Sequence, residues 1–143
     1  MLFRSDAKRF ETWESAAATR LGLGVAIEYA LALGLKNIES RVQELGRLLR
    51  ERLGQVKGVT VRDLGRVRSG IVTFTCEGHA AGEVMQGLKE KGIAVRVSDR
   101  TSTLIDMERR GLEELVRASV HYYNTEEEID RLCEAVRVWM RNV

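Results

Sequence analysis

The stretch from Val116 to Asp130, VRASVHYYNTEEEID, constrains the fold more than any other part of the chain. Val116, Ala118 and Val120 alternate with Arg117, Ser119 and His121. In an extended backbone that alternation sends apolar side chains to one face and a cation, a hydroxyl and an imidazole to the other. A strand of this kind covers a core with one face and offers the other to water, a ligand or a partner. Thr125 then stands three residues before Glu128, the capping-box pattern in which each side chain satisfies the other residue's free backbone N–H. The stretch therefore predicts a strand that runs into a helix with a fixed start.

The rest of the chain supplies partners for that strand. Ser15 to Leu33 is rich in Ala and Leu, with only Arg20 and Glu28 charged in its interior. A helix that is apolar all round wants burial on every side, either as a central core helix or packed partly on a further domain or a second subunit. Gly34 ends it, and Ile38, Val42, Leu45, Leu49 and Leu53 recur at helical spacing up to Gly54, predicting a surface helix. Val59 and Val61 alternate with Thr60 and Arg62, a turn spans Gly65 to Gly70, and Ile71 to Thr75 is β-branched and aromatic, so the pair reads as an antiparallel hairpin. Ala81, Val84, Met85 and Leu88 mark a short helix ending near Gly92, and Ile93, Val95 and Val97 mark a further strand. Ser98 to Gly111 reads as a loop holding one helical turn, long enough to suggest function. Ile129, Leu132, Cys133, Val136 and Met140 give the last helix its apolar stripe. The implied fold class is α+β, a small, mostly antiparallel sheet with helices packed chiefly on one face.

Composition removes several function classes. The formal charge of +2 on 143 residues comes from many charges of both signs, and the basic residues are interleaved with Glu and Leu, which argues against nucleic-acid binding. The charged N-terminus lacks the apolar core of a secretion signal, and no uninterrupted apolar span is long enough for a bilayer. Cys76 and Cys133 form no ligand cluster and behave as small buried hydrophobes, so a reduced, cytoplasmic protein without a metal is expected. With no proline, element ends must be set by glycines and caps.

Arg117 stands out chemically, because a guanidinium presents a planar fork that matches both oxygens of a carboxylate; a structural salt bridge or a solvated edge is the alternative on local pattern alone. His121 reads as a turn-filling residue and His79 as a surface loop residue, neither with a metal partner at ligand spacing. Gly22 and Gly24 in GLGVAI lack the strand before and the third glycine after that a nucleotide-binding turn requires, and close helix packing accounts for them. Glu126 to Glu128 complement a helix dipole. Tyr122 and Tyr123 read as packing residues pointing oppositely on extended backbone.

RASVHYYNTEEEIDRL, from Arg117 to Leu132, resembles the closing motif of class V aminotransferase-like enzymes that use pyridoxal phosphate, a group that includes transaminases, cysteine desulfurases and isopenicillin N epimerase-like proteins. RFE at Arg9 to Glu11, ALALGL at Ala30 to Leu35, GVTVRDLG at Gly58 to Gly65, GIVTFT, and KGIAVRVS at Lys91 to Ser98 fall in the order of that family's small C-terminal domain. The resemblance implies that residues 15–143 form that small domain after a leader or inter-domain segment at 1–14. It implies that Arg117 binds the substrate α-carboxylate and that the parent enzyme uses pyridoxal phosphate as a homo-oligomer.

It also implies what lies elsewhere. None of Lys8, Lys36, Lys57, Lys89 and Lys91 stands in the family's Schiff-base context, so the large cofactor-binding domain is an expected partner. No catalytic residue is assigned within the chain, no cofactor-binding residue is assigned, and the chain alone is expected neither to hold the cofactor nor to be a competent enzyme. Thr12 to Ser15 replace the Gly-Thr-Pro segment of many relatives, so a phosphate contact is not carried over. Desulfurases of the family place a nucleophilic cysteine in the loop corresponding to Ser98–Gly111, which has none here; an aminotransferase, lyase or epimerase-like parent is the expectation. The alternative is a non-catalytic binding or assembly module derived from the same fold.

Overall fold

The structure, a computed structural model, describes residues 4–10 and 16–141. Phe3, Trp13 and the start of the predicted first helix at Ser15 lie outside the described residues. The chain divides into two compact units, Met1–Leu35 and Lys36–Val143.

In the first unit a short 3-10 turn, Ala7–Phe10, precedes helix α1, Ala17–Leu33. Its N-cap residue is Ala16, which has no side-chain oxygen to cap with, and Gly34 stops it in a positive-φ conformation with its N–H donated to the carbonyls of Ala30 and Leu31. No residue of α1 is buried, and Leu21, Leu23, Val25, Ile27, Tyr29 and Leu31 are all exposed. The central-core-helix expectation is therefore not met: the core cluster is built entirely from residues after α1.

The second unit holds α2 (Leu35–Gly54, its first residue shared with the boundary), β1 (Val59–Val61), β2 (Ile71–Cys76), α3 (Ala81–Glu90), β3 (Arg96–Asp99), α4 (Leu104–Arg110), β4 (Glu114–Ser119) and α5 (Glu126–Arg141). The four strands form one antiparallel sheet in the order β1-β2-β4-β3. The predicted β1–β2 hairpin is present, pairing Val59 with Cys76 and Val61 with Phe74. Because β4 is antiparallel to both β2 and β3, the β2–α3–β3 unit is split, with β4 inserted between its strands.

One face of this sheet makes the core. Val72, Phe74, Cys76, Val116 and Ala118 meet Leu45, Leu49 and Leu53 of α2, Ala81, Val84 and Leu88 of α3, and Ile129, Leu132, Cys133 and Val136 of α5. Phe74, Leu45, Leu49 and Leu53 are fully buried, and removal of each from water contributes roughly 1.5–3 kcal/mol. A Cβ at Gly87 would meet the Trp139 ring, so the missing side chain on α3 is what lets α5 approach. The fold class is as expected, α+β with helices chiefly on one face.

Two elements differ from expectation. The strand read from Ile93 to Val97 pairs only from Arg96 onward, with Arg96 opposite Arg117 and Asp99 opposite Glu114; Ile93 and Val95 pack on the core ahead of the ladder. Ser98–Gly111 is not a plain loop, since it holds the end of β3 and the two-turn helix α4, closed by Gly111 in the left-handed conformation. Burial of Met107 in α4, and of Leu115 on the sheet side away from the core cluster, marks the part of the second face that α4 covers.

Candidate functional site

Strand alternation fixes the second face of the sheet. Cross-strand partners share a face, so the pairings that carry Val72, Phe74, Val116 and Ala118 to the helices carry Thr60, Thr73, Thr75, Arg117, Ser119, Ile71 and Arg96 to the other side. Arg62 joins them just past β1, its N–H donated to the carbonyl of Thr73 at 2.7 Å. One row across the sheet thus reads Arg62, Thr73, Arg117, Arg96. Ser98 and the covered Leu115 complete the face, and none of its strand positions is a carboxylate.

Arg117 is exposed at the centre of this row, between Thr73 and Arg96. Among the described residues its guanidinium has neither a hydrogen-bond nor an ion-pair partner, and the same holds for that of Arg96. Arg62 is held: its Nε donates to Thr75 Oγ1 at 3.0 Å, and its carbonyl accepts from the Arg110 guanidinium of α4. Arg110 also pairs with Asp106, and Arg100 with Glu108 and Glu113, so the cations flanking the row are neutralised by local acids. Among the described residues the salt-bridge reading of Arg117 is not met, and its exposure is what a solvated edge would also give.

The other residues singled out from the sequence fall elsewhere. His121 follows the end of β4; its N–H donates to Asn124 Oδ1 at 2.8 Å, and its ring stacks on Tyr123 at 5.1 Å between centroids and tilts against Tyr122 at 4.6 Å. It fills a turn, as expected. Tyr122 and Tyr123 do not point oppositely, because the backbone turns there and their rings meet edge to face at 5.5 Å. His79 is not a surface residue: its side chain is 9% exposed, edge-on to Trp139 at 5.9 Å. The capping box forms, with Thr125 N–H donating to Glu128 Oε2 at 3.1 Å and Glu128 N–H to Thr125 Oγ1 at 3.3 Å. Bonds from the Asn124 side chain and the Thr125 N–H hold the Glu128 carboxyl below its ordinary range.

A cleft of about 270 Å³ opens at the end of β4, lined by Leu49, Gly92, Ala118, Val120, Asn124 and Ile129 among others. Arg117 is not among its lining residues, although Ser119 at the strand end is. Cys76 and Cys133 are buried, and burial pushes both thiols up to about 11. No group of metal-ligating side chains gathers among the described residues, and no single described helix is long and apolar enough to cross a membrane.

Sequence reasoning found Arg117 by residue type and alternation but missed Arg62 and Arg96 as its neighbours. Their shared row depends on strand register, and the alternation of Arg96 with Val95 and Val97 was the available signal. Chemically the face can bind anions through guanidiniums and hydroxyls. It carries no lysine, and so offers no amine to form an imine with an aldehyde cofactor.

The family model described as aminotransferase class V matches residues 2–132. A probable cysteine desulfurase from Mycobacterium leprae is 33% identical over 136 residues, which is 95% of this chain and 22% of that protein. The apo structure of a cysteine desulfurase from Thermococcus onnurineus superposes with a TM-score of 0.87 at 26% identity, over 96% of this chain and 34% of the other. A cystine C–S lyase, solved with glycine covalently linked to its pyridoxal phosphate cofactor, matches with a TM-score of 0.72 at 25% identity, over 91% of this chain and 31% of its own. The chain spans about a fifth of the curated relatives it matches first.

Proposed function

The chain belongs to the class V aminotransferase family, and from that premise we propose that it acts as the small domain of a pyridoxal-phosphate-dependent enzyme on an amino acid, with Arg117 receiving the substrate's α-carboxylate. The observation that carries this reading is the guanidinium of Arg117, without a partner among the described residues, at the centre of a sheet face whose strand positions include no carboxylate. A two-pronged charge-assisted hydrogen bond to a carboxylate would satisfy it.

When bound, pyridoxal phosphate acts as an electron sink for bonds at the amino acid's α-carbon. The residues of the Arg117 face do not fit the cofactor's own requirements, since no lysine stands among them. The amine and the groups that grip the cofactor ring belong, in this reading, to a larger partner domain. Arg117 would then orient the substrate from the opposite wall, with Thr73 and Ser119 as neighbouring hydroxyls and α4 shaping the edge of the site. The exposed apolar surface of α1 supports burial against that domain or a second subunit.

The relatives' names add a choice of chemistry. A cysteine desulfurase that passes sulfur through a mobile thiolate needs a reactive cysteine near the substrate. Residues 98–111 contain none, and both cysteines of the chain are buried on the helix side of the sheet with raised values. Transamination, elimination or epimerisation is therefore the preferred reaction class for this site.

The test is to join the chain to a family large domain and compare the wild type with Arg117→Ala. Amino-acid affinity should fall by at least tenfold while cofactor absorbance and affinity stay unchanged. Unchanged substrate affinity would remove Arg117 from the site.

A further inference from the structure

The connection from β1 to β2, Arg62 to Gly70, reads RDLGRVRSG, with two arginines on either side of a valine. Helix α2 fastens both of its arms. Arg50 donates from Nε to the Asp63 carboxylate on one arm and from Nη2 to the carbonyls of Ser69 and Ile71 on the other. A Cβ on Gly46 would fall 2.9 Å from the Ser69 carbonyl oxygen, so the bare helix surface there is what admits the second arm. Arg68 Nε donates to the Gly65 carbonyl at 3.1 Å and draws the tip together.

This pinned loop and one stripe of α2 enclose a groove of about 420 Å³, lined by Gln43, Arg47, Arg50, Arg66, Val67 and Arg68. Gln43, Arg47 and Arg50 recur at the spacing of a single helical face. No carboxylate lines the groove. Arg50 is answered by Asp63, and Arg47 by Glu51 at 2.7 Å. Among the described residues Arg66 and Arg68 have no acid, and the only bond from the Arg68 side chain goes to a backbone carbonyl. Val67, between them, is 86% exposed, and Leu64 on the same loop is 68% exposed. Unanswered positive charge and aliphatic surface thus meet on one fixed loop.

We propose that this groove docks an acidic segment of a partner protein, one in which carboxylates flank an aliphatic side chain. The guanidinium forks of Arg66 and Arg68 match carboxylates, and covering Val67 and Leu64 removes apolar surface from water. Because Arg50 already fixes the loop's arms, little backbone ordering remains to oppose binding on this side. The lining residues include no aromatic ring on which a nucleic-acid base could stack, and the groove is not the broad apolar face of a helix that lies in a bilayer surface. A protein segment is therefore favoured over either. All the lining residues belong to the second unit.

The test titrates the 143-residue chain into a fluorescein-labelled peptide of Glu-Glu-Leu repeats, following anisotropy, with Gln-Gln-Leu and Lys-Lys-Leu peptides alongside. The acidic peptide should bind, weaken steeply as salt is added, and outcompete the other two. Arg66→Gln/Arg68→Gln, at two exposed positions, should lower its affinity about tenfold with circular dichroism unchanged. Val67→Ser should lower it about threefold, and Arg66→Glu/Arg68→Glu should turn the preference to the Lys peptide. No binding of the acidic peptide, or an affinity indifferent to these variants, would overturn the inference. Tighter binding of oligouridylate, or of vesicles of phosphatidylcholine and phosphatidylserine, that is lost in Arg66→Gln/Arg68→Gln would overturn it too, by giving the groove to another class of partner.

Discussion

Replacing Asp63 with alanine tests how the turn before β2 is held. Arg50 of α2 donates from Nε to Asp63 Oδ2 at 2.6 Å and from Nη2 to the carbonyls of Ser69 at 2.7 Å and Ile71 at 3.1 Å. Both side chains are nearly buried, 10% and 13% exposed, and Asp63 Oδ1 has no partner. Breaking one side of a buried pair costs about 3–5 kcal/mol. Asp63→Ala leaves Arg50 with two carbonyls and some solvent, so its cost should lie at or just below the low end, about 2–3 kcal/mol. Arg50→Met is worse, since it strands a carboxylate that has already lost half its hydrogen bonding, together with two carbonyls; about 4 kcal/mol is expected. The double variant Arg50→Met/Asp63→Leu should be less destabilised than the sum of the singles by about 2 kcal/mol, because neither charge is then left alone. Urea denaturation followed by circular dichroism measures all three. A cost below about 0.5 kcal/mol for Asp63→Ala, or additive singles, would refute the view that this pair fastens the turn.

Gly87→Ala should lower stability by about 1–3 kcal/mol through overpacking against Trp139, measured by the same denaturation; an unchanged midpoint would show that α3 and α5 can part freely. The depressed value of Glu128 means that its capping contribution is complete above the ordinary carboxylate value of about 4.3 and fades as pH falls through the lower folded value. Amide exchange at Thr125 should accelerate across that acid window in the wild type and show no such step in Glu128→Gln. With both thiols raised to about 11, stability should hold up to the ordinary thiol range near 8.5 and decline above it, as the unfolded chain releases protons first. Alkylation of the native chain at pH 8 should accordingly be slow at Cys76 and Cys133 and accelerate on addition of urea.

Periodicity carried most of the second unit. The spacing of Leu45, Leu49 and Leu53 and that of Ile129, Leu132, Cys133 and Val136 put the right faces of α2 and α5 on the core, because packing against a sheet needs that repeat. The capping box was legible because it is local chemistry between Thr125 and Glu128. Ile93 and Val95 misled on the start of β3, since apolar alternation reports burial and those residues are buried without pairing. α1 resisted a single reading because an all-round apolar pattern names no neighbour. At the site, Arg117 could be read from residue type and alternation. Its relation to Arg96 could not, because register is set by which strands become neighbours, and β4 inserts itself out of chain order.

That insertion governs when the site can exist. During synthesis β1 and β2 can close as a hairpin on α2, but β3 emerges with both edges bare and waits for β4. Pairing over such separations is slow and leaves an open edge liable to wrong partners. The row of Arg62, Thr73, Arg117 and Arg96 is thus assembled in the final pairing step, when β4 slots between β2 and β3 and brings Arg117 into line with Thr73 and Arg96. A chain stopped before β4 would carry α2, the hairpin and α3 but lack both the centre of this row and α5, whose residues complete the core.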